Sequence, residues 1–237
     1  LVMDLQLITV LGDVLSDHSL DPAMVNLMLQ LPSEAQLHEQ AETIYVDAIH
    51  RAREFVRQSI ANALESELAA TYHRLTETQA YAPQAEQIGR RALRNCALSY
   101  LMNVEGVGSE LAWQQFNDAS NMTDKAAALS ALVNCETAQD YAAQALKIFE
   151  QDYANETLAM NLWLQVQATC KLTNGLDRVN VLMEHSAFNI NNPNKARSLL
   201  GAFCSANPTN FHNIDGSGYG FLQQQIIALN ALNPQVA

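Results

Sequence analysis

The sequence predicts an all-α protein, an irregular α-solenoid or helical superhelix of stacked antiparallel helices. Apolar residues recur at i, i+3 and i+4 almost throughout the 237 residues. Asn or Asp stands directly before proline at Asp21-Pro22, Asn192-Pro193, Asn207-Pro208 and Asn233-Pro234. Each such pair offers a side-chain acceptor at an N-cap and a proline at the first helical position, where its missing N–H costs nothing. No segment reads as a β-strand, and connections of a few residues make about ten or more successive helices pack antiparallel.

Along the chain, Ser33-Glu34-Ala35-Gln36 has capping-box spacing after the Asp21-Pro22 start. Val56, Ile60, Leu64, Leu68 and Tyr72 form an unbroken i+4 row expected on one long helix. Thr123 and Asn155 read as caps before "DKAAALSALV" and "ETLAMNLWLQV". Shorter helices follow from Leu129/Leu132/Val133, Tyr141/Ala145/Ile148/Phe149, Leu158/Leu162/Val166 and Ala196/Leu199/Leu200/Phe203. Gly216-Ser217-Gly218-Tyr219-Gly220 reads as a tight turn, with Asp215 as cap, feeding a helix whose apolar side is Leu222, Ile226 and Leu229. The cysteines lie 39, 35 and 34 residues apart, near a helical-hairpin period, but their surroundings do not align into a repeat.

Composition narrows the function. Apolar residues make up 49%, enough for a core, and 25 acidic against 13 basic residues give a net charge of −12. That sign disfavours nucleic acid and anionic membrane as partners. The clusters Arg51/Arg53/Arg57 and Arg90/Arg91/Arg94 are assigned to solvated helix faces. Cys96, Cys135, Cys170 and Cys204 contain no C-x-x-C pair and read as reduced core thiols. No apolar run approaches the ~18 residues of a membrane helix and no signal peptide opens the chain, so a cytoplasmic protein is expected.

Catalytic constellations are incomplete. The glycines lack the preceding strand and the Lys-Ser/Thr pair of a phosphate loop. "HEQAE" at His38–Glu42 begins like H-E-x-x-H, but Glu42 occupies the second histidine's place, and "VLMEHS" has Val181 where an inverted zinc motif needs histidine. Ser217, His212 and Asp215 are sequence neighbours without a nucleophile elbow, and Cys96, two residues after Arg94, is the thiol weighed as a nucleophile. No catalytic residue and no metal ligand is assigned.

"NDASNMTDKAAALSALV", "NNPNKARSLLGAF", "NPTNFHNIDGSGYGFL" and "ALNPQVA", together with "LPSEAQL" near the start, resemble the C-terminal helical domain of bacterial aminopeptidase N, in the gluzincin zinc-peptidase family. The resemblance runs in order along nearly the whole chain. It implies a helical domain that closes over the active site of a zinc-dependent aminopeptidase acting on peptides, with the zinc and its motifs in a catalytic domain of the same polypeptide. Residues 1–237 are then an excised C-terminal domain lacking the catalytic domain and the final helices, which fits a chain opening without methionine and ending just after an Asn-Pro helix start. Two substrate-binding positions carry over: Arg197 in "NKARSLL" matches a cavity-facing arginine, and Gln235 in "NPQVA" matches a glutamine reaching the pocket for the substrate's first side chain. The alternative is a free-standing helical-repeat module that binds peptides or proteins.

Overall fold

The computed structural model describes residues 1–77, 79–232 and 234–235, and among them it contains helices and turns but no strand. The chain divides into two compact units, Leu1–Leu132 and Val133–Ala237.

The first unit comprises α1 (Leu5–Ser16), α2 (Pro22–Leu29), α3 (Glu34–Gln40), α4 (Val46–Ala63), α5 (Glu65–Arg74), α6 (Ala85–Leu101), α7 (Gly108–Asp118) and most of α8 (Met122–Val133). Asp21 caps α2 by accepting from the Ala23 N–H at 2.8 Å, and Ser33 and Gln36 close the expected capping box on α3. Helix α6 is the centre, packing on α2, α4, α5 and α7 and burying Leu93, Ala97, Leu98 and Leu101. It lies close to α2 because Gly89 has no Cβ, which would sit 3.1 Å from the Ala23 nitrogen.

The row Ile60, Leu64, Leu68 and Tyr72 is buried as expected, but its helix is not continuous. Leu64 leaves helical geometry (φ −118°, ψ 26°) and separates α4 from α5. The bonds Leu64 N–H to Ile60 O and Leu68 N–H to Leu64 O, each 2.9 Å, still straddle the break, so the apolar row keeps its phase across a bend.

Arg91 and Arg94 of the second cluster are not on a solvated face. Arg91 is 5% exposed: it donates to Gln87 Oε1 at 3.1 Å and to the Ala82 carbonyl at 3.4 Å, and lies over the Tyr81 ring. Arg94 lies 4.6 Å from the Tyr72 ring centroid, donates to the Tyr72 hydroxyl at 3.0 Å and stands 3.6 Å from Asp124. That buried carboxylate also accepts from Asn95 at 2.8 Å and Asn121 at 3.0 Å. Burial is tolerable because each charge keeps polar partners, although the buried Arg94 Nε has none. The cap of α8 is Asn121, whose side chain accepts from the Asp124 N–H at 2.9 Å. Thr123, the expected cap, is already inside the helix.

The second unit comprises a 3-10 turn (Glu136–Ala138), α9 (Gln139–Tyr153), α10 (Thr157–Ala168), α11 (Gly175–Met183), α12 (Pro193–Ala196), a π-helical segment (Arg197–Gly201), α13 (Ala202–Ala206), α14 (Pro208–Phe211) and α15 (Ser217–Leu232). Helix α10 is its centre, packing on α9, α11, the π segment and α13. Glu156, not Asn155, holds the N-cap position of α10, with no side-chain cap bond. Asn207 precedes α14 but does not cap it with its side chain. Fully buried, it donates instead to the carbonyls of Ala168 at 2.9 Å and Cys170 at 2.8 Å, satisfying acceptors that the end of α10 leaves open. Asn210 extends the tie, donating to Leu172 O at 3.1 Å and accepting from the Gly175 N–H at 3.0 Å.

Cys170 is a buried thiol, whereas Cys96, Cys135 and Cys204 are only half-buried, and all four are free. In α15 the buried positions are Gly218, Phe221 and Leu229. Phe221 meets Phe203 edge to face at 5.7 Å, and Ile226, expected inside, is 40% exposed. Asp215 accepts from the Ser217 N–H at 2.8 Å, as the sequence suggested. The glycine turn works through two positions: Gly216 has φ +75°, the region that disfavours a side chain, and Gly218 lies against α14. The Asn233 cap lies outside the described residues.

Two predictions follow from these contacts. A Cβ on Gly218 would lie 2.0 Å from the Phe211 carbonyl oxygen, so Gly218→Ala is expected to cost about 1–3 kcal/mol or more through overpacking. Gly220→Ala, which meets open space inside the same helix, is expected to add about 0.4–1 kcal/mol. Urea unfolding midpoints check the pair, and equal midpoints would refute the packing account. Asn207→Ala removes the bonds to Ala168 and Cys170 and is expected to cost at least about 2 kcal/mol, whereas truncating the exposed Asn213 should stay within about 0.5 kcal/mol. Thermal unfolding measures that difference.

Candidate functional site

Arg197 is the first residue of the π segment. The turn before it is well fixed: Asn192 accepts from the N–H groups of Asn194 at 3.0 Å and Lys195 at 3.3 Å, and Pro193 supplies the first helical φ. The Lys195 ammonium donates to the Ala187 carbonyl. The Ala202 N–H then reaches back five residues to the Arg197 carbonyl while also meeting Leu199 O, which widens the helix by one residue for a turn. The expected row survives, since Ala196, Leu199, Leu200 and Phe203 are all buried. The Arg197 residue is exposed, and its side chain makes no hydrogen bond or ion pair with a described residue.

Beside Arg197 is a cavity of about 150 Å³, walled by Leu200, Gly201 and Cys204 on one side and Leu222, Gln225, Ile226 and Leu229 of α15 on the other. Burial pushes the Cys204 thiol up to about 11, so that thiol is neutral at pH 7 and Arg197 is the charged residue of the lining. Helical spacing had disclosed Leu222, Ile226 and Leu229 but not Cys204 or Gln225 as their companions. Gln235 is exposed in the turn after α15 and is not among the residues lining this cavity.

The other sequence candidates separate. Helix α3 ends at Gln40, so exposed Glu42 lies outside the helix that carries His38. His185 has both ring nitrogens engaged, with Glu150 Oε1 at 3.3 Å and the Ala187 N–H at 3.1 Å. His212 pairs with the Tyr219 hydroxyl at 2.8 Å, while Asp215 holds the Ser217 N–H, so serine, histidine and aspartate form no relay. Burial pushes Cys96 up to about 11 despite Arg57 nearby, the opposite of an activated thiol.

One cluster was invisible to sequence spacing. Glu34, His50 and Glu54 each bring a potential ligand atom within 4.8 Å of the others. His50 Nδ1 is already hydrogen-bonded to Glu34 at 3.0 Å and Arg53 stands 3.4 Å from Glu54. With one histidine, this group does not fit a gluzincin zinc, whose motif sets two histidines on one helical face.

Comparison with known proteins places this geometry. Aminopeptidase N of Haemophilus influenzae is 38% identical over 98% of this chain, and that of Escherichia coli is 39% identical over 94%; the chain spans 26% of the length of each. In the crystal structure of Legionella pneumophila aminopeptidase A in complex with aspartic acid, the matching part superposes with a TM-score of 0.89 at 32% identity, covering 99% of this chain and 28% of that one. The family model described as "Domain of unknown function (DUF3458_C) ARM repeats" matches residues 1–237. ARM repeats stack helices into solenoids, which is the architecture that the apolar periodicity called for, and the chain belongs to the DUF3458_C family.

Proposed function

We propose that this chain is the C-terminal helical domain of a zinc-dependent aminopeptidase that removes N-terminal residues from peptides. It is itself non-catalytic, closes over the active site and contributes to the substrate pocket. The observation that carries this reading is the match of 94–98% of the chain to only 26% of each aminopeptidase N relative. The catalytic domain of the same polypeptide is its partner, zinc belongs to that domain, and the final helices of the parent lie beyond residue 237. Free thiols fit a reducing compartment, and no described helix is long and apolar enough to cross a membrane; both agree with a cytoplasmic enzyme.

Arg197 is the residue that this domain offers to substrate. Its charge is permanent, its fork of donors suits a carboxylate or carbonyl oxygen, and no described residue occupies it. Gln235 supplies an amide that discriminates among first side chains.

In the full-length enzyme, Arg197→Ala is expected to lower kcat/KM about 10- to 150-fold, the loss of a charge-assisted hydrogen bond. Gln235→Ala should reorder the preference among aminoacyl-arylamides more than it lowers the overall rate. Melting temperatures should stay near wild type, because both side chains are exposed. Wild-type rates and an unchanged ranking in both variants would overturn the two assignments. The isolated chain should hydrolyse none of these substrates; chelator-resistant activity in it would overturn the non-catalytic reading.

A further inference from the structure

In the first unit a cavity of about 270 Å³ opens between the end of α2, helix α4 and helix α6. Its polar wall holds Arg53 and Arg57, one helical turn apart on α4, with Gln30, Ser33 and Ser99; Leu29, Leu31, Cys96 and Tyr100 form the rest. The two guanidiniums are only partly used. Arg53, 18% exposed, donates Nε to the Pro32 carbonyl at 2.9 Å and reaches Glu54 at 3.4 Å through Nη1. Arg57 donates Nη2 to the Ser99 carbonyl at 2.5 Å, and its guanidinium carbon lies 5.9 Å from the centre of the Tyr100 ring. Among the described residues no carboxylate pairs with Arg57.

The contrast with Arg91 of α6 is informative, because Arg91 is enclosed by acceptors and a ring whereas Arg53 and Arg57 leave donors facing a cavity. Of the surrounding ionisable groups, the Glu54 carboxylate meets Arg53, and none pairs with Arg57 among the described residues. Burial drives the Cys96 thiol up to about 11 and the Tyr100 phenol up to about 12, so both are neutral at pH 7. Glu34 is bonded to His50, and Glu54 contacts Arg53 alone of the pair. Two positive charges a helical turn apart repel each other, and an anion between them would remove that cost.

We propose that this cavity binds the carboxylate of a small organic acid with an apolar body, about the size of an N-blocked amino acid. Arg53 and Arg57 hold the carboxylate, and Leu29, Leu31 and Tyr100 receive the apolar part. The volume lies just below the roughly 300 Å³ at which small-molecule sites begin, which limits the ligand to that size. Planar guanidiniums match the two oxygens of a carboxylate, and the apolar wall gives an inorganic oxyanion nothing to bury. The site is independent of the substrate roles of Arg197 and Gln235.

The test titrates N-acetyl-L-leucine and its neutral amide into the full chain, followed by calorimetry and by backbone amide shifts. The acid is expected to bind saturably, the amide at least about tenfold more weakly, and the shifts to cluster at Ser33, Ser99 and Tyr100. Arg57→Gln and Arg53→Gln should each weaken the acid at least about tenfold. Sulfate and phosphate form a control arm. Equal binding of acid and amide, shifts centred elsewhere, no saturation by about 10 mM acid, or inorganic anions matching the acid would each overturn the proposal. The wild-type shift map and the acid-to-amide comparison need no variant, so they decide the matter even if an arginine substitution unfolds the chain.

Discussion

The constraint on which this structure depends is the satisfaction of helix ends. A chain built from short helices leaves N–H groups at one end of each and carbonyls at the other, and packing carries many of those ends out of water. Side-chain amides take them up. Asn207 closes the open carbonyls behind α10, and Asn210 ties that same corner to the first N–H of α11. Asn134 receives the Lys171 N–H just beyond. Because α10 is the element on which the π segment packs, the placement of Arg197 rests on asparagines that never approach it in sequence.

Arginine shows how surroundings, rather than residue type, decide role. Arg91 is held by Gln87, a carbonyl and a ring, and Arg94 by Tyr72 and Asp124 with its Nε left without a partner. Arg53 and Arg57 are half-consumed and line a cavity. Arg197 is exposed beside an apolar recess. In a chain with a net charge of −12 such positive centres are scarce, so those that keep free donors are where an anionic or carbonyl group would be held.

What the sequence made legible was local. Helix starts at Asp21, Ser33 and Asn192 and the rows at Ile60–Tyr72 and Ala196–Phe203 follow from i+3/i+4 geometry and cap chemistry, which neighbouring residues determine. The break at Leu64 does not interrupt the row, so periodicity could not reveal it. Asn207 resembled a cap because Asn-Pro has one meaning locally, and only the fold brings the carbonyls of Ala168 and Cys170 within reach of its amide. Arg91 and Arg94 looked solvated because Tyr81, Tyr72 and Asp124 are not their sequence neighbours. The Glu34, His50 and Glu54 cluster and the α15 wall of the Arg197 cavity are likewise products of packing. Arg197 and Gln235 were reached through resemblance to a family, not through any spacing.

The π segment joins these strands. A widened turn is less favourable than an ordinary helical one and persists where its surroundings hold it. Here the hold is the burial of Leu199 and Leu200, both at most 4% exposed, together with the shared Ala202 N–H bond. The segment's geometry is therefore set by packing on α10 together with its own widened bond, and Gly201 within it adds no Cβ to the neighbouring cavity. An exposed arginine on a loop would lose side-chain and backbone freedom on meeting a ligand. On a turn clamped by two buried leucines and a capped start at Asn192, Arg197 has only its side chain left to order, and that is the physical advantage of placing such a residue on a helix rather than on a connection.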